Sequence, residues 1–364
     1  MKPPKMPRRF AVLGVSAFSL ATVIGFFAPA QAQIDPNAGS PTTSVVDCGD
    51  GSTVTLVSPH PGFSAASATD AQLEANGLPP RPQDAADLAE WQSFVAMPND
   101  PTPHCGTADG HVRTSHPIVA PGTSDAAPAA VTPDVGSSAN YHSANWSGYQ
   151  SFNKTYTDAY GKWKVPNAGA RPSSAFTYSS TWVGIGSGNS RSQPLIQAGS
   201  DSYNEGQPWY DLWWEMYPQN SSQSIGIVSP GDTIYSHAHL TANNDWVIVE
   251  DLTSGLGKGQ THSYKTTGFS TSTQAEWIVE RPDFGGTLYP LADAPTTFQG
   301  ATASGPGFSG TTLNLLPHYT WTMYNCKNGP NKILAQPGTI NSAGGFPVSW
   351  KSYGVQGSWG CTVW

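Results

Sequence analysis

Trp209-Tyr210-Asp211-Leu212-Trp213-Trp214-Glu215-Met216-Tyr217-Pro218 alternates with the period of an extended strand. Successive strand side chains point to opposite faces, so Tyr210, Leu212, Trp214 and Met216 share one face and Asp211, Trp213, Glu215 and Tyr217 the other. The first set is a core face. The second places two acids beside two amphipathic aromatics, a composition suited to holding an extended polymer.

Working outward, comparable short runs recur at Phe176 to Ile185, Pro194 to Ala198, Thr233 to Leu240, Trp246 to Asp251, Ala275 to Val279, Tyr319 to Tyr324 and Val348 to Tyr353, with Gly, Pro, Asn and Ser turns between them. From Asn140 onward no stretch keeps helical apolar spacing for three turns. Many short strands separated by turn residues predict an all-β domain, and large aromatics at alternate positions suit the two inner faces of a two-sheet antiparallel β-sandwich. Residues 139–364 are long enough for one such core. Twelve of the thirteen Trp residues lie there, and its eleven Lys and Arg nearly balance its thirteen Asp and Glu. A nearly neutral module lacks the basic face that a nucleic acid requires.

The N-terminal third reads differently. Lys2, Lys5, Arg8 and Arg9 precede an apolar run to Ala28, and Ala30-Gln31-Ala32 has the small-x-small form of a cleavage site. Residues 1–32 are therefore expected to be a secretory signal, with twin-arginine export suggested by Arg8-Arg9 and no membrane association after cleavage. Residues 33–138 hold ten Asp and two Glu against Arg81 and Arg113, a net charge of −10, and are rich in Pro, Ala, Ser and Thr. This composition predicts a weakly packed pro-segment with a helical patch at Asp84 to Ala96, followed by a linker at Pro117 to Gly136. Four cysteines suit an exported protein, and the simplest pairing joins Cys48 with Cys105 and Cys326 with Cys361, one bond in each region.

Ala275-Glu276-Trp277-Ile278-Val279-Glu280-Arg281-Pro282 puts a carboxylate where a strand would ordinarily carry an apolar side chain. Trp277 and Val279 form the packing face; Glu276, Ile278 and Glu280 share the other, and Pro282 ends the strand. Leu195-Ile196-Gln197-Ala198-Gly199 sets an amide inside an apolar strand, where it needs hydrogen-bond partners. It could serve a structural network or donate to a developing oxyanion.

Asn145-Trp146-Ser147-Gly148, Trp182-Val183-Gly184-Ile185, Leu195-Ile196-Gln197-Ala198-Gly199, Tyr210 to Pro218, Gly231-Asp232 and Ala275 to Glu280 together resemble the glutamic peptidases, the eqolisin family, in content and in order. The resemblance spans about residues 140–354. It implies a lectin-like or jelly-roll β-sandwich with a concave groove, acting as a secreted, acid-active, pepstatin-insensitive endopeptidase on polypeptides, with no cofactor and no metal. The family's catalytic Glu and Gln fall on Glu276 and Gln197. Trp182 matches the Trp beside the site, and Asp201, Asp211, Trp213 and Glu215 match further positions near the groove. Where better-known members carry an acid after Trp182 to Ile185, this chain has Gly186. A monomer is expected, and the net charge of −10 on residues 33–138 fits either an intramolecular inhibitor released in acid or a disordered tail with no regulatory role.

Other chemistries find little support. No Gly-x-Ser-x-Gly elbow is present, and the nine His show no triad arrangement. His237-Ala238-His239 puts two imidazoles on one strand face, but without a third ligand it reads as surface decoration. The remaining rival is a glycan-binding or glycoside-hydrolysing sandwich that pairs Glu215 with Glu276.

Overall fold

A computed structural model of the chain describes residues 35–108, 140–169, 176–186, 194–242, 244–264, 272–284, 287–325 and 332–358. The expected signal, the linker at 117–136 and the cysteines at 326 and 361 lie outside these residues. In chain order the elements are β1 (Thr42–Asp47), β2 (Ser52–Ser58), α1 (Asp70–Ala75), α2 (Ala85–Ala96), β3 (Thr107–Ala108), β4 (Asn140–Ser143), β5 (Trp146–Ser151), β6 (Asp158–Lys164), β7 (Thr177–Gly186), β8 (Leu195–Asn204) and β9 (Pro208–Tyr217). There follow β10 (Asn220–Ile227), β11 (Thr233–His239), β12 (Trp246–Asp251), β13 (Gln260–Tyr264), β14 (Ala275–Glu280), β15 (Asp283–Phe284), β16 (Thr287–Leu288), β17 (Thr296–Gly305), β18 (Phe308–Thr312), β19 (His318–Tyr324), β20 (Ile333–Pro337), β21 (Phe346–Trp350) and β22 (Gly357–Ser358).

Two antiparallel layers result, as the alternating strands predict. One runs β1-β2-β13-β12-β11-β6-β17-β18. The other runs β3-β10-β9-β8-β7-β14-β5-β19, with β4 joining β19 in parallel and β20 and β21 continuing from it. β17 pairs with β21 through Thr296–Phe298 and with β6 from Gln299 on, so it passes from one layer to the other without closing a barrel. A small sheet of β15, β16 and β22 stands apart. No helix among the described residues is long and apolar enough to cross a membrane.

The core lies between the layers. Tyr210, Leu212, Trp214 and Met216 of β9, Val183 of β7, Ile196 of β8, Trp277 and Val279 of β14, and Val247 and Val249 of β12 all enter it. Full burial of such side chains contributes roughly 1.5–3 kcal/mol each. The opposite face of β9 keeps its own set, and Trp213 packs with Trp146, Trp182, Leu195, Ile278 and Trp321 in a separate cluster.

Weak packing, the expectation from the acidic composition, is not what residues 35–108 show. β1 and β2 form a hairpin that extends the first layer through β13. Cys48 and Cys105 are bonded, with Cα atoms 5.4 Å apart. Leu73, Leu78, Trp91 and Phe94 bury against Tyr235, Ile248 and Leu252 on the outer face of that layer. The Lys258 ammonium, itself buried, donates to the carbonyls of Phe94, Val95 and Met97 at the end of α2. Lys162 meets Asp87 at 2.6 Å, and Arg81 donates to the carbonyls of Ala65, Ala66 and Ala68 while lying 5.3 Å over the Trp91 ring. Net charge misleads here because a few well-spaced apolar side chains, with cations supplied by the sandwich, are enough to dock the segment. The same docking overturns the reading of His237 as surface decoration: α1 lies over that face and His237 is buried.

Candidate active site

Strand register assembles the site. Glu276 of β14 stands opposite Gln150 of β5 and Gly184 of β7, Gly184 stands opposite Gln197 of β8, and Gln197 opposite Glu215 of β9. Residues opposite one another in antiparallel strands share a face, so these five form one row across five strands. Two residues along the strands the row is Gly148, Ile278, Trp182, Gly199 and Trp213; two further on it is Trp146, Glu280, Ser180, Asp201 and Asp211. All seven residues singled out in the sequence, Glu276, Gln197, Trp182, Asp201, Asp211, Trp213 and Glu215, therefore lie in three neighbouring rows on the face turned away from the core, and all are buried.

Glycine shapes the rows. Gly184 puts no side chain of its own between Glu276 and Gln197, whose backbones are two strand spacings, about 10 Å, apart, and the side chains of Leu195 and Trp182 close over that position. A Cβ there would come within 3.0 Å of the Ile196 carbonyl and 3.1 Å of the Trp182 ring. At Gly199 a Cβ would meet the Thr181 carbonyl at 2.1 Å and the Trp182 Cβ at 2.7 Å, so only glycine permits the Trp182 side chain its place.

Polar contacts orient Gln197 and Glu276. Gln197 Nε2 donates to Glu215 Oε2 at 2.6 Å, while Gln197 Oε1 is buried without a hydrogen bond. Gln150 Nε2 donates to Glu276 Oε1 at 3.2 Å and its carbonyl accepts from Trp321 Nε1 at 3.3 Å; Glu276 Oε2 has no hydrogen-bond partner. Burial pushes the Glu276 carboxyl well above its ordinary value, against the pull of the Gln150 amide and the Gly186 backbone N–H. Gly186, which stands where better-known members carry an acid, thus meets Glu276 through its backbone. Trp182 Nε1 donates to Glu280 Oε2 at 2.9 Å, Asn145 Nδ2 reaches Glu280 Oε1 at 3.3 Å, and the Trp182 and Trp146 rings meet edge to face at 5.0 Å.

Gln150 and Glu280 were not among the site residues read from the sequence. The signal for both was strand alternation: Trp146, Gly148 and Gln150 share a face in β5, as do Glu276 and Glu280 in β14. What alternation alone does not reveal is which strands are neighbours.

The model of the Peptidase A4 family matches residues 144–335. Aspergillopepsin-2 of Aspergillus niger is 32% identical over 187 residues, covering 46% of this chain and 66% of the relative. Scytalidopepsin B of Scytalidium lignicola is 32% identical over 139 residues, 38% of this chain and 51% of the relative. The chain thus spans just under two thirds of the first and about half of the second. Among solved structures, scytalido-glutamic peptidase with a transition state analog inhibitor aligns with a TM-score of 0.47 and 21% identity, over 57% of this chain and 98% of that one. With the family match running through every strand that carries the three rows, over more than half of its 364 residues, the chain belongs to the Peptidase A4 family, the glutamic peptidases.

Proposed function

We propose that the chain is an acid endopeptidase that hydrolyses peptide bonds by direct attack of water, with Glu276 as general base and Gln197 as oxyanion donor. The observation that carries the reading is the row Glu276, Gly184, Gln197, a carboxylate and an amide facing one another across a position with no side chain of its own. Leu195 and Trp182 fill that position here, and a scissile carbonyl and a water enter it when they move aside. Ionised Glu276 takes the proton of the attacking water and returns it to the leaving nitrogen, so no covalent intermediate forms. An amide has two N–H donors. Glu215 accepts from one, which fixes the nitrogen's position and leaves the other for the carbonyl oxygen as charge develops on it.

Burial raises the Glu276 pKa and so favours its protonated form, which cannot act as base. Activity therefore requires that the site open to water, which returns the carboxyl toward its ordinary acidic range. In the same reading residues 33–138 are a pro-segment removed on maturation, the protein is secreted, and its substrates are polypeptides. The described part of that segment packs on the first layer, except that β3 pairs with β10 at the edge of the second, three strands from Gly184, so any inhibition by residues 35–108 acts through the sandwich. A glycosidase pairing of Glu215 with Glu276 is disfavoured: their strands are three spacings, about 14 Å, apart, and Glu215 is engaged by Gln197.

The test is digestion of a denatured protein by the matured secreted product from acid to neutral pH with pepstatin present. Wild type is expected to cleave in acid only, Glu276→Gln not at all, and Gln197→Ala about 10²- to 10³-fold more slowly. Cleavage by Glu276→Gln at the wild-type rate would refute the assignment.

A further inference from the structure

The outer face of β11 carries a second cluster, one that peptide hydrolysis does not use. His237 and His239 project from the same face, and Asp158 of β6 stands opposite His239. His237 Nε2 lies 3.0 Å, and His239 Nδ1 2.5 Å, from one and the same atom, Asp158 Oδ1. Glu74 of α1 supplies a second carboxylate, and one donor atom from each of the four residues lies within 4.8 Å of all the others. Asp158 and His237 are buried, His239 is half-buried, and Glu74 is exposed. Aromatic walls set the imidazoles: His239 stacks on Trp246 at 4.4 Å, and His237 lies 4.0 Å from Tyr160 and edge-on to Trp246 at 4.7 Å.

We propose that Glu74, Asp158, His237 and His239 form a binding site for a divalent transition-metal ion of the zinc type, which ties the N-terminal segment to the sandwich. Two neutral imidazoles and two carboxylates make a four-donor set whose charge balances a divalent cation. Imidazole nitrogen suits zinc and its neighbours, whereas calcium and magnesium take six or more oxygens. Tetrahedral zinc at 2.0–2.2 Å from its ligands brings donor atoms to about 3.4 Å from one another. Asp158 Oδ1 now lies 3.0 and 2.5 Å from the two imidazole nitrogens, so an ion would replace these hydrogen bonds, part their atoms by about 0.4–0.9 Å to reach that spacing, and draw the exposed Glu74 inward. Three of the ligands come from the sandwich and the fourth from α1, so the ion would bridge the two parts. The sequence shows the His-x-His pair alone, because Asp158 and Glu74 are brought to it by strand register and by docking.

The experiment uses the precursor at neutral pH, with mass spectrometry to verify that residues 35–108 remain attached. Zn²⁺ is titrated calorimetrically and Co²⁺ by its visible absorption, against His239→Ala and Glu74→Gln, both at the accessible side of the cluster. Wild type is expected to bind one ion per chain, and each variant to bind more than about 10-fold more weakly, since even an outer-shell partner is worth 10- to 100-fold. Zn²⁺ should also slow limited proteolysis within residues 35–108 of wild type and not of Glu74→Gln. Absence of binding by folded wild type, equal binding by both variants, or protection that persists in Glu74→Gln would overturn the proposal.

Discussion

Position 276 shows how much one side chain depends on its immediate partners. Glu276 sits in a strand that would be wholly apolar without it and Glu280, and its carboxyl is fully buried with a single side-chain donor, Gln150. That donor stabilises the ionised form, which is the form a general base needs. Replacing Gln150 with Leu removes the pull and raises the Glu276 pKa further. The expected outcome is that the acidic limb of the kcat/KM–pH profile moves to higher pH while the neutral limb stays in place. An unmoved acidic limb in a folded Gln150→Leu protein would show that Gln150 does not position the base. Glu276 was legible in the sequence because a carboxylate interrupts an apolar alternation. Gln150 was not, since a Gln near the end of a strand looks like an ordinary exposed residue until β5 is known to lie beside β14.

Elements matter here through the order in which they are laid side by side. β14 is placed between β5 and β7 although it follows them by about a hundred residues, and this insertion brings Glu276 within two strands of Gln197. β14, β8 and β9 were each readable from alternation, and their inward and outward faces are those the pattern predicts. The short β3, and the hairpin of β1 and β2, were not: β3 and β1 are largely exposed and held by pairing with β10 and β2, and β2, which buries Val54 and Val57, is held by pairing with β13 across about two hundred residues of sequence. α2 is held by its buried Trp91 and Phe94 and, at its C-terminal end, by Lys258, which donates to the carbonyls of Phe94, Val95 and Met97, the first of which also accepts from the Met97 N–H. Burial lowers the Lys258 pKa to about 8, partly offset by Glu250. Lys258→Met removes those donors, and each buried acceptor left unsatisfied costs about 1–3 kcal/mol. Amide exchange in α2 is expected to speed by roughly tenfold or more while exchange in β7 and β8 is unchanged.

For the whole molecule, the seam between the N-terminal segment and the sandwich makes stability depend on pH. Glu250 of β12 is fully buried there and its pKa is pushed up to about 8 by burial, against the Gly259 N–H and Lys258. Between its ordinary value of 4.5 and about 8 the folded chain holds a proton that the unfolded chain has released. Stability from this group is therefore full below about pH 4.5 and declines as the pH rises through that window; Glu276 acts in the same direction. Glu250→Gln should flatten the fall in melting temperature from pH 5 to pH 8, as measured by thermal denaturation, with little change at pH 4. A fall as steep as wild type would mean that other groups dominate. At this scale the sequence by itself determined the all-β class, the inward and outward faces of the main strands and the presence of a carboxylate at 276 and an amide at 197 inside apolar strands, because strand alternation and a misplaced polar side chain are local properties. Only the tertiary structure decided that Gly184 stands between Glu276 and Gln197, that Gln150 and Glu280 belong to the same face, and that an acidic segment docks on the sandwich. Those follow from which strands become neighbours and from apolar contacts and counter-charges distant in sequence, which neither alternation nor net charge encodes.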